Sequence, residues 1–391
     1  FLPDASDLKE FQRSRTRLFS LESQTPVADF DLLAFSVSYE LDYTKIAQIL
    51  DLAGLPVFSE DRDESHPLVI AGGPCATFNP EPLAEIIDAF AIGDAEELVG
   101  DLVDAIKKSG NKNRDDLLGE LAQVPGIYIP RFYTPKYNED GTFAGMDVRS
   151  PAPPKVTKRI VRNLNDYKNT ALILTPEAEF SNMLLAEAMR GCKRQCRFCV
   201  SGYTGLPPRP RDIPKLPEGE RVGLVGSAVF DHPEARAICE SLTKEGREFS
   251  ISSTRVETLT DELAQMMYQG GQRTMTIAPE AGTEALRKVI NKPTTDAEIL
   301  EAARMASDAG FPRLKLYFMV GLPGETAEDI DGIVNLARNI ASEYPSLKVQ
   351  ISASCYVPKP WTPFQWCGMA PEKELAKTLS KLKQSVAKEK H

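Results

Sequence analysis

The sequence predicts an α/β protein in two parts, a doubly wound parallel sheet followed by a partial parallel barrel of six strand–helix units. Short apolar runs alternate with amphipathic helical stretches through both parts, which favours parallel strands joined by crossover helices. The chain has 391 residues, enough to bury more than one core. A proline-rich linker at residues 150–154 separates the two series of units and indicates a boundary between them.

Three strand–helix units make up the first part, which we place at residues 1–110. A short helical segment, residues 8–18, precedes them. The predicted strands are residues 32–38, 68–71 and 89–92, and the predicted helices are residues 43–52, 82–88 and 95–108. Ligands of such sheets bind at the carboxyl ends of the strands. Those ends carry the small or polar residues Ser36, Ser38, Gly72, Gly73, Gly93 and Asp94.

A predicted connector, residues 111–165, joins this part to the barrel. Asp140 and Gly141 lie there between two short segments typical of strands, and an Asp-Gly pair in that position predicts a hairpin turn. We place the domain boundary near the proline-rich linker at its end.

The predicted barrel covers residues 166–391. Its strands are predicted at residues 183–189, 222–229, 249–253, 273–277, 314–320 and 349–356. A helix is predicted from Asp231, and Thr295 with Glu298 has the spacing of a capping box at the start of another. Because parallel barrels place their chemistry at the carboxyl ends of the strands, we expect the functional residues there.

Three cysteines dominate the chemistry of the barrel. Cys192, Cys196 and Cys199 form a C-x3-C-x2-C motif, and aromatic Phe198 precedes the last thiol. Three thiolates on one loop can hold an iron–sulfur cluster and leave one iron open, as catalytic metal sites do. A zinc knuckle or free thiols are the alternatives, but zinc needs a fourth ligand, and no other His or Cys lies close in sequence.

The segment R-G-C-K-R-Q-C-R-F-C resembles the signature of the radical S-adenosylmethionine (SAM) enzymes. The resemblance implies that Cys192, Cys196 and Cys199 hold a [4Fe-4S] cluster whose open iron binds SAM. It implies reductive cleavage of SAM to a 5'-deoxyadenosyl radical, with electrons from a flavodoxin or ferredoxin type donor. It also implies that the six units form the family's TIM-like partial (β/α)6 barrel.

The resemblance continues at the other strand ends. A-P-E-A-G is similar to the family's G-x-E-S-G segment, and G-L-P-G-E-T matches closely, whereas Gly226 stands where the family has G-G-E. The cofactor-binding residues implied in the barrel are Phe198, Gly226, Ser227, Ser253, Arg255, Glu280, Gly321 and Val357. SAM needs an acid near its amine or ribose and a base near its carboxylate. Glu280 and Arg255 are the candidates, and a structural salt bridge is the alternative for each.

The first part resembles the Rossmann-like cobalamin-binding domain that precedes the radical domain in many of these enzymes. The shared segments are F-S-V-S-Y-E, A-G-G-P and I-G-D-A-E-E. The resemblance implies a cobalamin groove lined by Ser36, Ser38, Gly72, Gly73 and Gly93. Ordinary strand-to-helix turns are the alternative. The D-x-H-x-x-G segment that supplies a cobalt ligand in some relatives is not found, and since the chain starts at Phe1 we expect this domain to be incomplete at its amino end.

The composition of the chain limits the classes of binding partner and indicates the cellular compartment. The net charge of −10 argues against nucleic acid, and no apolar run approaches the about 20 residues of a membrane span. Seven cysteines, three of them on one loop, favour a reducing cytoplasm.

The leading hypothesis is cobalamin-dependent methyl transfer to an unactivated carbon of an unknown small molecule or peptide. The alternatives are a radical SAM enzyme without cobalamin, either methylthiotransferase-like or a rearrangement catalyst, and a non-catalytic cobalamin or redox sensor.

Overall fold

The structure is a computed structural model that describes residues 2–110, 113–177, 180–214, 216–217, 219–252 and 254–387. The chain divides into two compact units, Phe1–Asn163 and Leu164–His391. No helix in the described ranges has the length and apolar character needed to cross a membrane.

A four-stranded sheet organises the first unit, and its strands follow chain order. Its strands are β1 (Leu32–Ser36), β2 (Leu68–Gly72), β3 (Ala89–Ala91) and β4 (Ile127–Tyr128). The first three are parallel and the fourth is antiparallel. The predicted parallel sheet is therefore confirmed, and the chain beyond residue 110 adds a fourth strand to it.

The helices of this unit differ from the prediction at several places, most of all at residues 82–88. The helices are α1 (Ala5–Ser14), α2 (Tyr43–Leu52), α3 (Pro74–Phe78), α4 (Ala95–Ser109) and α5 (Arg114–Leu121). The helix predicted at residues 82–88 is wrong, because only the 3-10 turn Glu81–Leu83 forms there. The Ile86 carbonyl accepts from the buried Arg62 guanidinium, and the Asp88 amide donates to the Val69 carbonyl. These long-range bonds replace helical ones.

The predicted hairpin is confirmed. It pairs β5 (Tyr133–Tyr137) with β6 (Phe143–Val148) in antiparallel register. Gly141 has a φ of +80° in the turn, a conformation that glycine adopts readily.

The second unit contains two sheets of mainly parallel strands. The strands are β7 (Met183–Arg190), β8 (Arg209–Pro210), β9 (Arg221–Gly226), β10 (Phe249–Ile251), β11 (Thr274–Glu280), β12 (Arg313–Val320) and β13 (Lys348–Cys355). One sheet has the order β10–β9–β7–β8 and the other the order β11–β12–β13, and a parallel bridge between Thr254 and Ile277 connects them. Apart from the short β8, neighbouring strands are parallel, as the barrel prediction requires.

Helices follow these strands and cover one face of each sheet. They are α6 (Ser201–Thr204), α7 (Ala235–Lys244), α8 (Asp261–Gln269), α9 (Glu284–Val289), α10 (Asp296–Asp308), α11 (Ala327–Glu343) and α12 (Glu372–Ala387). The capping box of Thr295 and Glu298 is present. The helix predicted from Asp231 begins instead at Ala235, because a 3-10 turn ends at Asp231 and the His232 ring accepts from the Glu234 amide at 3.0 Å.

Candidate active site

The cysteine loop follows β7 and depends on a close approach of two glycines. Gly191 has a φ of +85°, and a Cβ built on it would collide with the Gly205 carbonyl oxygen. Gly191 therefore satisfies two demands that only glycine meets, a left-handed backbone and direct backbone contact. This contact folds the loop back on the chain after α6.

A substitution at Gly191 is expected to displace the whole loop. In Gly191→Ala, the methyl group collides with backbone rather than with a flexible side chain, so we expect iron retention after reconstitution to fall at least about tenfold, as when support of a metal ligand is lost. The matched control is Gly368→Ala, where nothing lies within 4 Å of the added carbon. Iron analysis of both purified proteins measures the effect, and equal iron in the two would contradict it.

Hydrogen bonds fasten the loop to the segments that follow β11 and β13. The Arg197 amide donates to the Ile290 carbonyl at 3.0 Å, and the Phe364 amide donates to the Arg197 carbonyl at 3.1 Å. The Asn291 side chain donates to the Gln195 carbonyl at 3.0 Å. The cysteine loop therefore follows a strand of one sheet and is bonded to segments that follow two strands of the other sheet.

Phe198 lies against a buried apolar cluster. That cluster is formed by Ala281, Leu286, Ile290, Leu322, Tyr356 and Phe364. The packing of Phe198 against this cluster holds the cysteine loop in place. Its direct contact with a cofactor stays a prediction.

The three thiols are close enough to influence one another. The pKa of the Cys196 thiol is raised to about 11, chiefly by burial; Lys292 opposes the rise, and Cys199, Cys192 and Glu280 add to it. A thiol of this kind binds metal only after losing its proton, so metal binding and deprotonation are coupled. The cysteines therefore form a compact donor set suited to an iron–sulfur cluster.

A site for a single metal ion requires a different arrangement of ligands from a site for an iron–sulfur cluster. Within the described ranges, no group of three or more His, Cys, Asp or Glu side chains is arranged to hold one metal ion. In a cluster each thiolate binds a different iron, so the sulfur atoms need not converge on one point.

Glu280 lies beside the cysteines in an unusual conformation. It has a φ of +70°, and the register of β11 against β12 shifts between Ile277 and Glu280. Its carboxylate lies 3.0 Å from the Lys292 ammonium, and both side chains are about 15% exposed. A non-glycine residue held in this region costs free energy, which is typical of functional sites. Its contact with SAM stays a prediction.

Arg255 belongs to a network of charged side chains at the ends of β9 and β10. Its guanidinium lies 2.5 Å from Asp231 and 3.5 Å from Glu257, and Glu257 also lies 3.1 Å from Arg194 of the cysteine loop. Burial opposes ionisation of Glu257, yet its own backbone amide, Arg194 and Arg255 together keep its pKa below the usual range. The salt bridge considered as an alternative for Arg255 is therefore present, and its role toward SAM stays a prediction.

The remaining predicted barrel residues have different surroundings. A Cβ on Gly226 would lie 2.8 Å from the Met189 carbonyl oxygen, and one on Gly321 would lie 2.7 Å from Leu375 of α12, so both glycines permit close packing. Ser227 and Val357 are exposed. Ser253 lies outside the described residues.

The residues predicted to line the cobalamin groove differ in how much free space surrounds them. Ser36 and Ser38 are exposed, and a Cβ on Gly72 would meet only Ala91, at 3.6 Å. A Cβ on Gly73 would lie 2.9 Å from the Val37 carbonyl oxygen, and one on Gly93 would collide with the Arg159 backbone. Ser36, Ser38 and Gly72 thus leave room for a ligand, whereas Gly73 and Gly93 allow backbone segments to approach.

Sequence reasoning missed a second charged group beside the loop. Glu187 pairs with Arg190 at 2.8 Å and with the buried Arg211, which also donates to the Leu164 and Tyr167 carbonyls. Although burial opposes ionisation of Glu187, the two arginines keep its pKa below the usual range. The only sequence signal was the R-P-R segment after the cysteine loop.

Comparison with known proteins identifies the family. Residues 1–130 match the family described as radical SAM proteins, N-terminal, and residues 187–337 match the radical SAM superfamily. The uncharacterized protein MJ0966 of Methanocaldococcus jannaschii is 32% identical over 92% of this chain and 74% of its own length. The chain therefore belongs to the radical SAM superfamily, whose members use a [4Fe-4S] cluster and SAM.

More distant comparisons relate to cobalamin and methyl transfer. The uncharacterized methyltransferase PH0819 of Pyrococcus horikoshii is 25% identical over 72% of this chain and 60% of its own length. The cobalamin-dependent radical SAM enzyme OxsB, solved with aqua-cobalamin, covers 98% of this chain with a TM-score of 0.52 and 16% identity. The methyltransferase TsrM of Kitasatospora setae covers 92%, with a TM-score of 0.54 and 15% identity. These structures show a shared fold, and the chain spans 49% of OxsB and 66% of TsrM.

Proposed function

We propose that this radical SAM protein is a cobalamin-dependent methyltransferase that acts on an unactivated carbon. The observation that carries the proposal is the combination, in one chain, of a fastened three-cysteine loop with a sheet whose carboxyl edge exposes Ser36 and Ser38 beside the open Gly72. The folds shared with OxsB and TsrM support it.

Specific side chains would hold each group. Cys192, Cys196 and Cys199 would hold the cluster, and Ser36, Ser38 and Gly72 would line the cobalamin groove. When bound, the cluster and SAM supply a radical that removes hydrogen, and cobalamin supplies the methyl group.

The residues of the chain keep this chemistry in place. Phe198 and the bonds from Arg197 fix the loop, so the thiols are preorganised for the cluster. Glu280 with Lys292, and Arg255 with Asp231, place charges of both signs beside the loop, where the amine and carboxylate of SAM could exchange with the existing partners.

A radical SAM enzyme without cobalamin is the second candidate. It is favoured by a 24% identity, over 51% of this chain, to a tRNA-2-methylthio-N(6)-dimethylallyladenosine synthase of Anaplasma phagocytophilum. This candidate predicts iron and SAM cleavage but no corrin absorbance. A sensor, in contrast, would hold its cofactors without releasing 5'-deoxyadenosine.

Anaerobic purification from cells supplied with cobalamin tests the proposal. We expect iron, cobalt, corrin absorbance and release of 5'-deoxyadenosine from SAM upon reduction. Gly72→Leu should lower cobalt content at least about tenfold and leave iron unchanged, because a side chain there enters the groove. Gly100→Leu on exposed α4, with nothing within 4 Å, is the matched control. Cobalt missing from the unmodified protein, or equal cobalt in both variants, would contradict a groove at Gly72.

A further inference from the structure

The inner face of β11, β12 and β13 is polar, in contrast to the face that the helices cover. Leu314, Leu316, Phe318 and Val320 of β12 alternate into the apolar core with the helices. The residues between them point the other way, because side chains alternate along a strand. With their partners in register, the inner positions are Thr274, Thr276, Arg313, Lys315, Tyr317, Met319, Lys348, Gln350, Ser352 and Ser354.

Lys315 is the notable cation on this inner face. Its ammonium lies 4.7 Å from the centroid of the Tyr317 ring. Tyr317 is two residues further along β12, so the lysine leans toward the carboxyl end of the strand, where the cysteine loop lies. Within the part of the chain that the structure describes, no carboxylate forms a salt bridge with Lys315.

The charge balance of this face is strongly one-sided. None of the ten inner positions is acidic, and Arg313 lies beside Lys348 in register at the amino ends of β12 and β13. Like charges on adjacent strands repel each other. The chain as a whole is acidic, with a net charge of −10. The three cations of this face, Arg313, Lys315 and Lys348, are therefore not the result of a generally basic composition. Glu187 of β7 and Glu280 of β11 already have basic partners, Arg211 and Lys292.

We propose that this inner face binds an anionic group, a carboxylate or a phosphate, of a small-molecule substrate. Lys315 is the direct ligand, and the Tyr317 ring lies against the substrate beyond that group. Ser352 pairs with Tyr317 in register, at the level that the Lys315 ammonium reaches, where its hydroxyl can donate to a remaining oxygen of the anion.

This assignment rests on the proposed function and sets the size of the substrate. Tyr317, beside which the Lys315 ammonium lies, is three residues before the last residue of β12. The distance along the strand from Tyr317 to its carboxyl end is therefore roughly 10 Å. A small molecule of about that length places its anionic end at Lys315 and its reacting carbon near the cysteine loop.

Binding of two probe anions to the reconstituted full chain tests the proposal. Inorganic phosphate and succinate are titrated calorimetrically, with neutral succinamide as the third probe. We expect phosphate, succinate or both to bind, and succinamide not to bind. The probe that binds identifies the anionic group as phosphate or carboxylate. Binding of neither anion, or equal binding of succinamide, would overturn the assignment.

Substitutions at Lys315 locate the binding. Lys315→Met should weaken the anion at least about tenfold, as expected for loss of a charge-assisted hydrogen bond, and Lys315→Arg should retain it. Lys244→Met on exposed α7 removes the same charge elsewhere and should change nothing. Equal affinity in Lys315→Met and Lys244→Met would refute the role of Lys315. Cobalt content, corrin absorbance and SAM cleavage of the unmodified protein, measured separately, report on the proposed function, so the two failures are distinguishable.

Discussion

Cys196→Ala is expected to abolish both the cluster and the cleavage of SAM. The Cys196 thiol is partly buried between Cys192, Cys199 and Lys292, so its loss removes the central donor of the set. Loss of a group that merely orients a metal ligand costs about 10–100-fold, and loss of a ligand itself should cost more. We therefore expect 5'-deoxyadenosine formation to fall by more than about a hundredfold.

The control for this substitution is another cysteine of the same unit. Cys355 lies on the outer face of β13, packed against the core, and Cys355→Ala should retain its iron and its activity. Iron counting, the visible absorption of the cluster and chromatography of 5'-deoxyadenosine measure the effect. If Cys196→Ala kept the iron of the unmodified protein, the ligand assignment would be wrong, and Cys192→Ala with Cys199→Ala would show whether the loop binds iron at all.

Local signals predicted the elements that depend on neighbours in sequence. The capping box of Thr295 and Glu298 involves residues three apart, so its spacing was sufficient, and α10 begins where it indicates. The hairpin at Gly141 depends on one turn conformation. The cysteine motif is likewise a short local segment, and its spacing together with its resemblance to the radical SAM signature predicted the cluster.

Elements fixed by distant partners could not be predicted in this way. Residues 82–88 have apolar residues at helical spacing, but the Ile86 carbonyl and the Asp88 carboxylate bind guanidinium groups of Arg62 and Arg114, which come from distant segments. The network of Arg255 was hidden for the same reason, since its partner Asp231 is 24 residues away. The alternation around Lys315 was visible, but only the core packing showed which face is inner.

Asp88→Ala is expected to destabilise the first unit severely. One carboxylate oxygen of Asp88 accepts from the Val69 amide at 2.8 Å and from Arg114 at 2.7 Å, and it lies 3.2 Å from Arg62. The side chains of Asp88 and Arg62 are fully buried, and that of Arg114 is 7% exposed. Burial already lowers the pKa of Arg62, and Asp88 opposes this effect.

Removing Asp88 leaves two buried cations without their counter-ion, because among the described residues the two arginine side chains otherwise donate only to backbone carbonyls, such as those of Pro56 and Pro67. Loss of one partner from a buried ion pair costs about 3–5 kcal/mol, which corresponds to a fall in Tm of about 10 °C for a unit of this size. Calorimetry measures the shift, and Asp104→Ala on exposed α4, expected to change stability by less than about 0.5 kcal/mol, is the control. Equal Tm values would mean that water reaches the arginines and replaces the carboxylate. If the Tm falls as expected, the Asp88 carboxylate is the group that holds the segment before β2 against β3. Residues 82–88 then form no helix because the chain there must place Asp88 beside the two arginines.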